Sequence, residues 1–284
     1  MEGQLNLFQI NEAPVPDRFG QAQVRLRDNA QILTPASGFM EGYDFTLNPY
    51  VGCQFGCAYC YASFFVDSDE KRDNWGYWVE VKHDAVEYLN KRRKLYGKKI
   101  YMSSVTDPYQ PIEAKLELTR GIVESMSARD RQPRLVIQTR SPLVTRDIDL
   151  LKKYSHMRVN MTVTTDSEAI RKRFEPLCPS NERRMAALDE LKRAGIKTCV
   201  CITPMLPLEN AEQFAKQITA LKADMYVVQP FKPSQGRYAA STRQIALDIL
   251  REYEWNEPKY RNAVNILRRH VSVLYEGKEG FLPE

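Results

Sequence analysis

The stretch Thr46-Leu-Asn-Pro-Tyr-Val-Gly-Cys53-Gln-Phe-Gly-Cys57-Ala-Tyr-Cys60-Tyr61 decides how this chain is read. It leaves a short apolar run, turns at Asn48-Pro49, and places three cysteines at a C-x3-C-x2-C spacing. The other cysteines are Cys178, Cys199 and Cys201. In a chain of this size such clustering points to metal binding more than to a disulfide framework. A 4Fe–4S cluster usually takes four thiolates, so three leave one iron open to a small chelating ligand. Structural zinc needs four closed ligands and would have to recruit a partner such as His83. The spacing alone leaves both metals open. Three unrelated buried cysteines are the plain alternative, and a tight cluster in a loop argues against it.

Outward from this loop the chain alternates strand and helix patterns. Strands are predicted at Tyr43–Leu47, Lys99–Ser104, Arg134–Thr139, Met157–Thr165, Ile196–Thr203 and Met225–Gln229. Helical periodicity falls at Asp84–Tyr96, Leu116–Arg129, Ile148–Tyr154, Glu182–Ala194 and Ala211–Leu221, with Gly195 as a helix-ending glycine. This alternation implies parallel β/α units. Proline follows most of the predicted strands, and polar residues gather at the same ends. In a parallel barrel those loops share one face, which holds the site, and the cysteines follow the first strand onto it. Thr242–Glu254 and Tyr260–Arg269 read as helices, and Val271–Tyr275 as a short apolar segment packed beside the barrel.

The 284 residues carry 41 basic and 36 acidic side chains, a net charge of +5. The apolar share of 43% excludes a disordered chain and supports a sizeable core. No apolar run has the length of a membrane helix, and the start lacks the basic and apolar regions of a signal peptide. A cytoplasmic protein with no membrane association is therefore expected. Mild basicity permits a nucleic-acid partner without requiring one. The runs Lys91-Arg92-Arg93-Lys94 with Lys98-Lys99, and Arg268-Arg269-His270, offer phosphate contacts, but solvated helix faces explain them more simply.

The cysteine stretch resembles the radical SAM (S-adenosylmethionine) superfamily, and within it the spore photoproduct lyase-like branch. Further stretches carry the same likeness: Thr106-Asp-Pro-Tyr-Gln-Pro-Ile-Glu113 with Leu118-Thr-Arg120; Thr162-Val-Thr-Thr-Asp166 with Phe174-Glu-Pro176; and Ala194-Gly-Ile196 leading to Pro204-Met-Leu-Pro207. The resemblance implies an α/β fold, a partial (β/α)6 barrel over residues 29–235. An N-terminal extension, 1–28, precedes it and a helical part, 236–284, follows. It implies a 4Fe–4S cluster on Cys53, Cys57 and Cys60 whose open iron binds SAM. Reductive cleavage of SAM would then yield a 5′-deoxyadenosyl radical that abstracts hydrogen from a substrate. An electron donor such as a flavodoxin or ferredoxin is implied as a partner. DNA or RNA is the favoured substrate class by analogy with the branch, a peptide or small metabolite the rival. A non-catalytic zinc or iron–sulfur protein that binds nucleic acid is the reading from another class.

The resemblance also nominates site residues. Tyr59 would lie against the adenine, and Tyr61 would belong to a radical relay; packing beside the cluster is the plain reading of both. Ser103 and Ser104, at the end of the second predicted strand, and Asp107 just beyond would lie near the SAM amino group, with only one of the two serines facing inward because side chains alternate on a strand. Arg140 would face the SAM carboxylate, which suits a guanidinium. Asn160, Thr162 and Thr164 alternate with apolar residues and would face the cofactor, unless this is an edge strand with one wet face. Arg184 matches a family arginine, against a simple helix-surface salt bridge. Spore photoproduct lyase carries a hydrogen-donating cysteine near the end of the second strand, where this chain has Ser103-Ser104. Cys201 could serve from another strand, although a small buried hydrophobe is its plainer reading.

Overall fold

The fold is described from a computed structural model, over residues 15–28, 31–92, 94–128, 130–233 and 242–283. Residues 1–14 of the leading segment, Arg93 of the basic run, Arg129 at the end of one predicted helix and the boundary at 235/236 lie outside these residues.

Among the described residues twelve strands are found: β1 (Arg18–Phe19), β2 (Ala22–Leu26), β3 (Leu33–Pro35), β4 (Phe45–Leu47), β5 (Tyr50–Val51), β6 (Trp78–Val81), β7 (Lys99–Met102), β8 (Arg134–Thr139), β9 (Met157–Thr162), β10 (Lys197–Ile202), β11 (Met225–Val228) and β12 (Leu274–Glu276). Among the described residues ten α-helices join them: α1 (Asp69–Asp73), α2 (Ala85–Lys91), α3 (Glu113–Leu116), α4 (Leu118–Ser125), α5 (Ile148–Leu151), α6 (Glu168–Phe174), α7 (Asn181–Arg193), α8 (Ala211–Ala220), α9 (Gln244–Arg251) and α10 (Glu257–His270).

The main sheet runs β12-β11-β10-β9-β8-β7-β4-β3. Every neighbouring pair from β4 to β12 is parallel, and β3 closes one edge antiparallel. All six predicted strands are present. A seventh parallel strand, β12, was read from sequence only as a packed segment. Its residues are only half-buried, so its apolar signal is weak.

The two faces of this sheet differ. Ile100, Ile137, Val159, Met161, Val200 and Val228 join the apolar core shared with the helices. The opposite face carries Tyr101, Gln138, Thr162 and Cys201 in neighbouring registers. The period of two therefore sends apolar side chains to the helices and a more polar set inward.

Local signals explain most helix ends. Ser167, Ser180, Asn210 and Asn256 each accept a backbone N–H from the first turn of the helix they precede. The predicted helix 116–129 is instead a short turn, α3, and then α4, because Glu117 takes a left-handed φ of 51°. The predicted 84–96 helix stops at Lys91, where Arg92 turns extended.

A second, four-stranded sheet has the order β1-β2-β6-β5. The resemblance implies an N-terminal extension at 1–28. Its described part instead supplies β2, which pairs in parallel with β6. Ala22 and Val24 are buried between exposed neighbours, a five-residue alternation too short to stand out. Among the described residues no helix is long and apolar enough to cross a membrane.

Candidate active site

Cys53, Cys57 and Cys60 line one cavity of about 600 Å3 at the ends of the parallel strands. All three are free thiols. The loop that holds them is pinned from three sides. Thr106 Oγ1 donates to Gly52 O at 2.6 Å, and Gln54 N donates to Gln110 Oε1 at 2.9 Å. Gln54 Oε1 accepts Ile112 N at 2.7 Å, and Ala58 N donates to Phe174 O at 2.7 Å. The stretches 106–113 and 174–176, far from the cysteines in sequence, thus converge on their loop. On a third side Gly76, at φ +104°, presses on Gly56: a Cβ at Gly76 would stand 2.9 Å from Gly56 Cα. Only glycine admits that approach.

The three thiols are electrostatically unlike. Burial pushes Cys60 up to about 11. Burial, and then the Asp107 carboxylate, push Cys53 well up. Cys57 moves the other way: the Cys178 thiol, 3.6 Å from its Sγ, holds it below its ordinary value against burial, with help from Arg140 and Arg184. Among the described residues the three thiols share the cavity without being drawn into a closed metal-binding triad.

Behind the loop stands a buried ionic core. Arg184 Nη2 donates to Glu175 Oε2 at 2.6 Å, and both side chains are fully buried. Thr164 Oγ1 donates to Glu175 Oε1 at 2.9 Å, and the Tyr59 hydroxyl donates to the same carboxylate. Arg140 Nη2 donates to the Tyr59 hydroxyl at 3.1 Å, and its guanidinium lies 5.7 Å from the Tyr59 ring centre. Burial alone would raise the Glu175 carboxyl, but Arg184 and then Arg140 overcome it and hold the group at about 2.

Tyr59, Tyr61, Ser103, Ser104, Asp107, Arg140 and Thr162 all line the cavity with the cysteines. Both serines reach it, which corrects the expectation of one. β7 ends at Met102, and Ser103 leaves the strand at φ +76°, so strand alternation no longer applies. Asp107 is fixed by three donors: Thr139 Oγ1 at 2.7 Å, Arg140 N at 2.8 Å and Tyr109 N at 2.9 Å. Burial still raises its carboxyl. The Tyr61 ring is partly exposed at the mouth, and its hydroxyl donates to Ser104 O.

Asn160, Thr164, Arg184 and Cys201 are not among the lining residues. Asn160 lies deeper, accepting Arg158 Nε at 3.0 Å. Thr164 and Arg184 act on Glu175. Arg184 is fully buried, so the surface salt bridge considered for it does not apply. Cys201 sits behind Gln138, its Sγ 3.7 Å from Gln138 Oε1. His83, the conceivable fourth zinc ligand, is instead 3.4 Å from Asp28, and no histidine is among the described lining residues.

Several site residues escaped the sequence reading. Gln138 lines the cavity, accepting Tyr101 OH at 2.9 Å and donating to Thr162 Oγ1 at 2.6 Å. A glutamine inside the run Arg134–Thr139 was an available signal. Glu175 lay unassigned in a quoted stretch. Trp75 lines the cavity from a loop that offers no pattern at all.

Residues 47–219 match the family model of the radical SAM superfamily. The chain belongs to that superfamily. As a radical SAM enzyme it resembles an uncharacterised protein of Methanocaldococcus jannaschii, 42% identical over 166 residues, 58% of this chain and 62% of that protein. An uncharacterised protein of Acidianus two-tailed virus is 29% identical over 60% of this chain and 59% of its own length. The chain thus spans about six-tenths of the relatives it matches. Among solved structures, a cysteine-to-serine variant of spore photoproduct lyase superposes with a TM-score of 0.60 at 15% identity, covering 89% of this chain and 81% of that one. Streptococcus suis SuiB bound to precursor peptide SuiA gives 0.54 at 13% identity, covering 81% of this chain and 48% of SuiB. At such identities the likeness is one of fold. The radical SAM family implies a 4Fe–4S cluster and SAM.

The residues present fit those groups. Among the described residues Trp75 Nε1, Ser103 Oγ and Arg140 Nε are buried without a hydrogen-bond partner, Arg140 Nε having only an ion-pair contact of 3.7 Å with Glu175 Oε1, and all three residues line the cysteine cavity. Orphaned donors beside thiols suit a bound group rich in acceptors, such as sulfide, thiolate and carboxylate.

Proposed function

We propose that Cys53, Cys57 and Cys60 hold a 4Fe–4S cluster and that the adjoining cavity binds SAM, with the substrate entering at the mouth. The observation that carries this reading is the meeting of three free cysteines and the three orphaned polar atoms on one cavity. When bound, these groups supply one-electron reductive cleavage of SAM and a hydrogen-abstracting radical. The chain's own part is placement. Arg140 would take the SAM carboxylate, with Ser103 and Thr162 as hydroxyl partners nearby. Tyr59 and Phe231, edge to face at 6.5 Å, supply apolar wall. The hydroxyl of Tyr59 is held by Glu175 and Arg140, so its ring cannot swing out of the site. Asp107 would steady the strand ends through its three donors rather than move a proton. An external one-electron donor of the flavodoxin or ferredoxin kind would serve the cluster.

For the substrate we favour nucleic acid. Phe39, Tyr61 and Phe65 line the cavity and remain 39% to 52% exposed, offering rings on which unstacked bases lie; Lys232 lines the same cavity. The solved SuiB complex with its precursor peptide keeps a peptide substrate as the second reading. Anaerobic loading with iron and sulfide, then reductant and SAM, tests the first part: 5′-deoxyadenosine is expected, and its absence from a fully loaded protein overturns the reading. Binding of single-stranded DNA or RNA that weakens steeply with salt tests the second.

A further inference from the structure

Trp75 is 3% exposed and lines the cavity with Cys53, Cys57 and Cys60. Its indole Nε1 is buried and has no acceptor among the described residues. Its neighbour Trp78, packed edge to face at 5.9 Å, donates its own Nε1 to Lys71 O at 2.7 Å. The missing acceptor is therefore particular to Trp75 within this pair. The backbone that carries it is also fixed: Trp75 N donates to Arg72 O at 3.2 Å, and the following Gly76 is wedged against Gly56 between Cys53 and Cys57.

An indole N–H donates and cannot accept, and a buried donor left unmade is costly. Its partner must therefore be an acceptor, and the cavity that Trp75 lines is the one that Cys53, Cys57 and Cys60 line. Resting on the cluster assignment to Cys53, Cys57 and Cys60, we infer that Trp75 Nε1–H donates a hydrogen bond to sulfur of the cluster site, thiolate or sulfide, and thereby raises the cluster's reduction potential. The reduced cluster carries one more negative charge than the oxidised one. A donor at sulfur therefore stabilises the reduced form more. Trp75 is a positioning and tuning residue here, with no part in bond breaking.

The test is a redox titration, followed by electron paramagnetic resonance, of anaerobically reconstituted wild type and Trp75→Phe, without SAM. Equal iron and sulfide content is expected, with a more negative midpoint in the variant. An unchanged midpoint at full loading overturns the inference. Should Trp75→Phe not fold, the wild type labelled with indole-15N tryptophan decides: a 15N coupling to the reduced cluster supports the donor, and none overturns it. Trp78→Phe should retain that coupling. If the wild type itself takes up no iron and sulfide, the cluster assignment fails first and is seen to fail separately.

Discussion

The Sγ atoms of Cys57 and Cys178 lie 3.6 Å apart, although 121 residues separate them in sequence. Cys178 is placed by Arg171, whose Nη1 donates to Cys178 O at 2.9 Å. It does not line the cavity of the other three thiols. Under the proposed ligand set Cys178 is a neighbour of Cys57 that stands outside the cavity, and no fourth ligand. A Cys178→Ala/Cys199→Ala/Cys201→Ala protein should therefore keep its full complement of iron and sulfide. Loss of the cluster with the fold intact would show that another cysteine is a ligand.

The Glu175 carboxyl, held at about 2, makes part of the stability dependent on pH. The unfolded chain's glutamate titrates near ~4.3, so between those values the unfolded state binds more protons. The contribution is full above about pH 5 and lost as pH falls toward about 2; its size is on the order of 3 kcal/mol. Glu175→Gln should flatten the acid limb of urea-unfolding free energy measured against pH. Arg184→Met leaves the carboxylate short of its main partner and should cost about 3–5 kcal/mol near neutrality. An acid limb unchanged in Glu175→Gln would rule out this carboxylate as its source.

The main sheet was legible because a buried parallel strand writes its period and its terminating prolines into the sequence. β8, predicted and found at Arg134–Thr139, shows this in full. The second sheet was not legible. β5 has two residues and β6 four, and each acquires its strand character from a partner distant in sequence. Within the site, the cysteines and Arg140 stood out by spacing or by position at a strand end. Glu175 and Gln110 did not, since what they do is to hold other parts of the chain. The alternation rule failed at Ser103 because the backbone turns left-handed there, and no residue type announced that.

The contact of Gly76 with Gly56 yields a prediction about the cysteine loop. In Gly76→Ala a β-carbon would meet backbone 2.9 Å away, which cannot rotate aside, at a φ that alanine adopts only with strain of about 1–3 kcal/mol. The loop must shift, and iron uptake should fall along with thermal stability. Gly97→Ala is the control: its φ of +68° is also left-handed, but a β-carbon there meets nothing within 4 Å. Gly97→Ala should lose a little stability and no iron. Equal iron content in both variants would remove the wedge from the cluster site.

Arg140→Ala should weaken SAM binding to the loaded protein. A charge-assisted pair contributes about 1.5–3 kcal/mol, roughly a 10- to 100-fold change in affinity. Arg140→Lys should restore only part, since a lysine cannot present two parallel donors. Calorimetry with SAM on the reconstituted protein measures both. Unchanged affinity in Arg140→Ala would mean that the guanidinium serves only Glu175 and Tyr59.

The last prediction is negative: this enzyme does not efficiently return thymine from spore photoproduct. That reaction must give a hydrogen atom back to a product radical in each cycle, and a thiol suits the task because its S–H bond is weak. A serine O–H is far too strong to donate. Ser103 and Ser104 both line the cavity where the resemblance places the lyase's cysteine. Cys201, the alternative donor, is fully buried behind Gln138, with Cys199 Sγ 3.7 Å away on the same inner face. For Cys201 to donate, Gln138 would have to leave both Tyr101 and Thr162, breaking hydrogen bonds of 2.9 and 2.6 Å. Incubation of the reconstituted enzyme with photoproduct-containing DNA, reductant and SAM is the test. The expected outcome is slow 5′-deoxyadenosine formation with little or no thymine. Rapid, clean return to thymine would overturn the prediction. Loss of that activity in Cys201→Ala would then identify the donor and show that the Gln138 bridge opens during turnover.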